Sequence, residues 1–271
     1  MPNESAPVNL PDGIEFRLMQ RGDMKSALAV IRQHSADDYE VAKDSYGDTR
    51  GQYVLTEAGK VIGVTGGRMI PVTDRAYWLS WTYLDEAHRG QGLGRAMLDA
   101  MIEQFRSIHA RKVFLSVSDQ DQGMGNRGLY GKAMELYGQV GFAEELRHAD
   151  YYDHGENMIA MGLRIDEEYD AEPTDPEERL PRLLDVDEIV ETDDAYFVEW
   201  EFDDGEGSSL EDVDRMIEQV RKWKGRVVFA GVAADALVAQ DLFVAAGFVE
   251  DGHLADFYED GIDEVRFRYN L

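Results

Sequence analysis

The chain has 271 residues, 27 basic against 55 acidic side chains, a formal net charge of -28 and no cysteine. With 44% hydrophobic and 10% aromatic residues it can bury a core, which excludes general disorder, and the missing cysteine excludes disulfides, thiolate metal sites and thiol nucleophiles and suits a reducing cytoplasm. The start MPNESAPVNLPDG has no leader pattern, no segment approaches the roughly 18 unbroken apolar residues of a membrane span, and duplex affinity needs clustered Lys and Arg, so the expected partners include no nucleic acid and no membrane.

The charge is uneven. Positions 166 to 271 hold 32 acidic and 9 basic side chains, net -23, and positions 1 to 165 the remaining 23 and 18, net -5. Residues 1–13 read as a flexible tail containing Pro2, Pro7 and Pro11. Gln52 to Val64 reads as two short strands around Ala58, Gly59 and Lys60, and Ala76 to Leu84 as an aromatic-rich third. From Leu93 the period changes. Leu93, Met97, Leu98, Met101, Ile102, Phe105 and Ile108 recur every three to four residues, which predicts a helix with one buried face. Val113 to Val117 is a short buried strand, and Ala133 to Val140 a second helix stopped by Gly141. Strands alternating with helices make the fold class α/β, in mixed α and β layers. Pro173, Pro176 and Pro181 within DEEYDAEPTDPEERLP mark an extended acidic linker, 166–181.

The remainder, 182–271, repeats the plan. AYFVEWEF at 195 matches AYWLSWTY at 76, MIEQVRKWKGRVVFAGV at 216 matches MIEQFRSIHARKVFLSV at 101, and AQDLFVAAGFVEDGHLADFYEDG at 239 matches AMELYGQVGFAEELRHADYYDHG at 133. The offsets of 119, 115 and 106 shorten between blocks, as a partial duplication with trimmed loops requires.

The chemistry concentrates in the loop Arg89-Gly90-Gln91-Gly92-Leu93-Gly94-Arg95, between a strand and a helix. Glycines leave backbone N–H groups uncovered, a helix N-terminus adds about half a positive charge, and flanking arginines suit a pyrophosphate. The spacing fits neither GxGxxG nor a Walker loop.

Arg89-x-x-Gly92-x-Gly94 after a strand, followed some 40 residues later by Leu136-Tyr137-x-x-x-Gly141-Phe142, resembles the GNAT N-acetyltransferase superfamily over 14–165, with 182–271 as a degenerate half-domain. The resemblance implies an acyl-CoA N-acyltransferase fold and an enzyme that moves an acetyl group from acetyl-CoA to a primary amine, either a small cationic amine or a peptide. It implies that Arg89, Gly90, Gln91, Gly92, Leu93, Gly94 and Arg95 bind the cofactor's pyrophosphate. Tyr83 and Leu84 would meet the pantetheine arm and thioester carbonyl, in a gap between that strand and the next. Tyr137 would be the catalytic acid that protonates the leaving thiolate.

The sequence departs from the family where an asparagine often stands seven residues before the tyrosine. That position is Tyr130, within an unusually long connection, Ser118 to Gly131. Ser116 stands where some relatives carry a glutamate base, and Asp85, Glu86 and His88 read as turn residues, so no base is assigned. His34, His109, His148, His154 and His253 lack metal spacing, and no metal is expected. Trp78, Trp81 and Trp200 read as core, and Met97 and Met101 as packing residues. At the repeat offsets the cradle becomes Asp204-Gly205-Glu206-Gly207-Ser208-Ser209 and Tyr137 becomes Phe243, so the second half is expected to bind no CoA and to pack on the first, with a homodimer left open. The reading from another class is a non-catalytic acyl-CoA-binding or regulatory protein, and a third is an interaction scaffold.

Overall fold

A computed structural model describes residues 10–46, 49–119, 129–166 and 178–271. In chain order they form β1 (Ile14–Leu18), α1 (Met24–Arg32), α2 (Ala36–Ser45), β2 (Gln52–Glu57), β3 (Lys60–Met69), β4 (Ala76–Leu84), α3 (Leu93–Ser107), β5 (Lys112–Ser118), α4 (Leu129–Val140), β6 (Ala143–Asp153) and β7 (Glu156–Arg164). These are followed by β8 (Leu180–Glu188), β9 (Ala195–Asp203), α5 (Leu210–Trp223), β10 (Val227–Ala233), α6 (Leu237–Ala245), β11 (Val249–Glu259) and β12 (Ile262–Asn270). The α/β class is therefore as read, and no helix among the described residues is long and apolar enough to cross a membrane. Most of the acidic linker and residues 120–128 of the long connection lie outside the described residues. Leu180 and Pro181, grouped with the linker in sequence, already belong to β8. The second predicted helix starts four residues early, at Leu129, because Gly131, a weak helix former, hides its first turn from a periodicity reading.

The chain divides into two compact units. The first is Met1–Leu115 with Glu135–Phe142 and Leu163–Glu167. The second is Ser116–Met134, Ala143–Gly162 and Glu168–Leu271. Compactness thus assigns most of the β6–β7 pair to the second unit, whereas the sequence blocks group it with the first.

In the first unit β1, β2, β3 and β4 are antiparallel neighbours in that order, and β4 continues parallel to β5. Alternation along the strands sends side chains to two cores. Val54, Val61 and Val64 pack with Ala27, Val30 and Ile31 of α1 and Tyr46 after α2, with Trp81 and Tyr83 of β4 at the margin. Leu55 and Ile62 pack on the other face with Leu93 and Met97 of α3, joined by Leu84. Gly63 permits this approach, since a Cβ there would lie 2.9 Å from the Met97 sulfur. Tyr83 and Leu84 therefore point to opposite layers at the strand end.

In the second unit the sheet runs β11-β12-β10-β9-β8. Hairpin β11–β12 pairs Val249 with Arg268, Glu250 with Phe267, Gly252 with Arg266 and Glu259 with Ile262. Hairpin β6–β7 pairs Ala143 with Gly162, Glu144 with Met161, Leu146 with Ala160 and Asp153 with Glu156. Every partner, and both register shifts, differ by a constant 106 positions. Asp150 and Asp256 both take a left-handed φ, 54° and 48°. Each accepts the N–H of the glycine five residues on, Gly155 at 2.7 Å and Gly261 at 2.9 Å. Likewise β9 meets β10 in parallel over Ala195–Phe197 and Val227–Phe229, as β4 meets β5 over Ala76–Trp78 and Lys112–Phe114.

Candidate functional site

The site is built where β4 ends. Its parallel ladder with β5 stops at Trp78 opposite Phe114, so the later residues of β4 leave that partner while remaining bonded to β3 as far as Leu84. Asp85 N–H donates to the Ile62 carbonyl across that ladder at 2.7 Å. Backbone groups alternate in direction along a strand, so the Leu84 carbonyl faces away from β3, on the side where β5 has ended.

The following turn consumes its own polar groups. Asp85 accepts from the Ala87 N–H at 3.1 Å and from Gln33 Nε2 at 3.0 Å, and contacts His88 Nδ1 at 2.9 Å. The bond from Gln33, then the one with His88, lowers the Asp85 pKa, and the bond with Asp85 raises that of His88 against its partial burial. These residues hold the turn.

Beyond it the backbone opens. Gly90 and Gly92 have φ of 74° and 79°, a region that favours glycine, and a Cβ at either would meet nothing within 4 Å. Gly92 caps α3 with no side-chain hydrogen bond and no acidic residue follows in the first turn. The first helical bond runs from the Ala96 N–H to the Gly92 carbonyl at 3.1 Å. The N–H groups of Leu93, Gly94 and Arg95 precede that ladder and lie at the positive end of the helix. This cradle fits a pyrophosphate. Both flanking cations are engaged: Arg95 pairs with Asp99 at 2.8 Å and reaches the Gln139 carbonyl at 3.3 Å, while Arg89 lies against His34 and 3.9 Å from Glu86.

α4 brings Tyr137 to the same strand. Gly94 comes within 3.7 Å of Leu136 as measured from the Cβ it lacks, and Gly141, at φ 114°, ends the helix with its N–H on the Tyr137 carbonyl at 3.1 Å. The Tyr137 ring is buried edge-on to Phe142, centroids 5.9 Å apart. Its hydroxyl hydrogen-bonds Thr82 of β4, whose own hydroxyl lies 2.9 Å from that of Thr65. Burial pushes the phenol up to about 12, with the Thr82 bond opposing it, so Tyr137 keeps its proton throughout the neutral range.

Three residues here escape the sequence reading: His34, Asp38 and Thr82. His34 sits beyond α1 with Nε2 2.8 Å from the Leu84 carbonyl and its ring stacked on Tyr83, centroids 5.1 Å apart. The Tyr83 hydroxyl donates to Asp38. Burial, aided by the Arg89 charge and opposed by the Leu84 bond, lowers the His34 pKa. The signals in sequence were the apolar spacing Ala27, Val30, Ile31 and the cap Ser35, whose Oγ accepts the Asp38 N–H at 3.0 Å. Together they place a helix end, but neither points across 55 residues to Arg89. His148, read in sequence only as lacking metal spacing, is buried with Nδ1 2.5 Å from Asp251 Oδ2 in the second unit.

Residues 22–142 match the model of the acetyltransferase (GNAT) family. Among curated proteins no sequence matches the chain. A solved structure from Desulfovibrio desulfuricans, assigned to the GNAT acetyltransferases, is 21% identical, with 56% of this chain covering 99% of that one at a TM-score of 0.50. Ard1 from Thermoplasma volcanium is 22% identical over 57% and 99% at 0.48. The ribosomal-protein-S18-alanine N-acetyltransferase of Escherichia coli is 20% identical over 59% and 99%, also at 0.48. At this identity the Desulfovibrio likeness shows the fold.

Proposed function

Because residues 22–142 are an acetyltransferase domain of the GNAT family, we propose that the chain moves the acetyl group of acetyl-CoA to a primary amine, with Tyr137 as acid. One observation carries this reading. The uncapped start of α3, the free end of β4 and the buried phenol of Tyr137 converge on a single strand end. The N–H groups of Gly90 to Arg95 would hold the pyrophosphate, and Tyr83 and Leu84 the acyl arm. Acetyl-CoA supplies the activated thioester. The chain's part is to orient it, accept hydrogen bonds from its arm and return a proton to sulfur. The net charge of -28 favours cationic acceptors through its long-range field, an effect that salt weakens.

We also infer that residues 182–271 are a partial, degenerate repeat of the transferase fold. The constant 106-residue register between the two hairpins supports it, as do the matching three-residue parallel ladders. Phe243 in the place of Tyr137 and acidic residues in the place of the cradle make it a non-catalytic half.

Thiol release from acetyl-CoA, followed across polyamines, amino sugars, basic peptides and neutral amines, tests the reading. Turnover with a preference for cations that fades in salt is expected. CoA binding without turnover on any amine would replace the enzyme by an acyl-CoA-binding protein.

A further inference from the structure

His34 is partly buried, lies against the loop that holds the anion cradle and contacts the strand end that would hold the acyl arm. A carbonyl oxygen only accepts, so the 2.8 Å contact with Leu84 fixes the proton on Nε2 and leaves the lone pair on Nδ1. The Arg89 guanidinium lies against the same ring, with Nη2 touching Nδ1 and 3.0 Å from Nε2, so the cation crowds the basic nitrogen from the side. The ring is further enclosed by Tyr83, whose hydroxyl is taken by Asp38. The other charges that act on it are Asp85 and Glu86 of the turn, which favour the imidazolium, against Arg89, which disfavours it. The imidazole is therefore neutral and correctly tautomerised for a base, with its basic nitrogen covered by a residue of the cradle loop.

Resting on the acetyl-transfer reading, we propose that His34 is the general base and that Arg89 gates it. Phosphate oxygens in the cradle offer Arg89 charge-assisted, two-pronged bonds in place of a neutral imidazole and a 3.9 Å approach to Glu86, and its departure frees the side of the ring at Nδ1 only when the acyl donor is in place. The neutral amine then forms its bond to the thioester carbonyl carbon, and its N–H proton passes to His34 Nδ1. The carbon–sulfur bond breaks with its electron pair on sulfur, and sulfur takes the Tyr137 proton. Amine and thioester become amide and thiol. Solvent removes the proton from His34 and restores the one on Tyr137.

The test uses the full chain. His34→Gln should lower kcat/KM about a hundredfold or more, leave the CoA dissociation constant within about twofold, and abolish the acid limb of the pH profile. In the unmodified protein, the His34 imidazole followed by NMR should titrate at higher pH once CoA alone saturates the chain, because a positive neighbour has left. If the unmodified chain transfers acetyl to no amine, the enzyme reading falls and this one with it. If it is active and folded His34→Gln keeps its rate and its limb, only the His34 assignment falls. If CoA binds and the His34 titration does not move, the gate is overturned whatever the variant does.

Discussion

α3 and α5 both follow a strand that has left its parallel partner, yet their first turns are opposites. α3 starts at a left-handed Gly92 with no side-chain cap and no acid in its first turn. α5 starts at Ser209 in a closed capping box: Asp212 takes the Ser209 N–H and hydroxyl, both at 2.7 Å, and Glu211 adds a second carboxylate. Those two bonds hold the Asp212 carboxyl below its ordinary pKa. The preceding loop is closed too, since the Ser208 N–H donates to the Pro181 carbonyl at 2.7 Å and a Cβ on Gly207 would fall 2.5 Å from that of Leu180. A helix N-terminus is a positive site until something neutralises it. α5 neutralises its own, and α3 leaves its first turn open to an anion.

The strand gaps differ in the same sense. Between β9 and β10 the Trp200 indole N–H donates to the Gly231 carbonyl at 2.8 Å, bridging the strands past the end of their ladder. The matching Trp81 turns instead to Tyr46, 5.7 Å away and edge-on. Registers set by apolar alternation and by Asp–Gly turns are kept in both regions, while the groups that would face a ligand are exchanged. Scaffold and site are separable.

Exchanging single groups between the two regions tests this. Tyr137→Phe, which copies Phe243, has the largest expected effect: kcat falls on the order of a hundredfold to a thousandfold, while CoA affinity by calorimetry is unchanged. Retained kcat would make the phenol a packing group. Gly92→Asp places a carboxylate at the mouth of α3 on a backbone of φ 79°. CoA binding should weaken by about a hundredfold, and calorimetry should find one CoA per chain before the change. Two equivalents would show that the closed start of α5 does not exclude the ligand.

The legible part of this molecule was local. Leu93 to Phe105 reads as a helix because one face is buried, and the cradle is legible because glycine spacing is a backbone requirement. Tyr137 is singled out by a motif, but its Thr82 partner is not, because pairing across the fold leaves no trace in spacing. His34 failed for the same reason: an imidazole acquires its tautomer from a carbonyl 50 residues away. Ala255 N–H donates to Glu145 at 2.9 Å, tying β6 to β11 within one unit.

Phe243→Tyr places a phenol in the second region. Phe243 is fully buried, stacked with Phe267 and edge-on to Phe248, so an added hydroxyl would need a partner that this apolar setting does not offer. A loss of about 1–3 kcal/mol in unfolding free energy is expected, with no gain in acetyl transfer. A stable, active variant would mean that the second region retains a working site.

Ser209→Ala is the mildest exchange and the most specific to the comparison. The Ser209 side chain accepts from the backbone of the third helical residue, while Asp212 returns a bond to the cap. Losing the hydroxyl removes one half of that reciprocal pair and should cost about 1 kcal/mol, seen as a melting shift of about 2–4 °C. No CoA binding should appear, because Glu211 and Asp212 still supply negative charge to the first turn and Leu180 still fills the space beside Gly207. If uncapping alone let α5 take up CoA, the difference between the two helices would reduce to one hydroxyl, and the acidic loop and the Trp200 bridge would have no part in it.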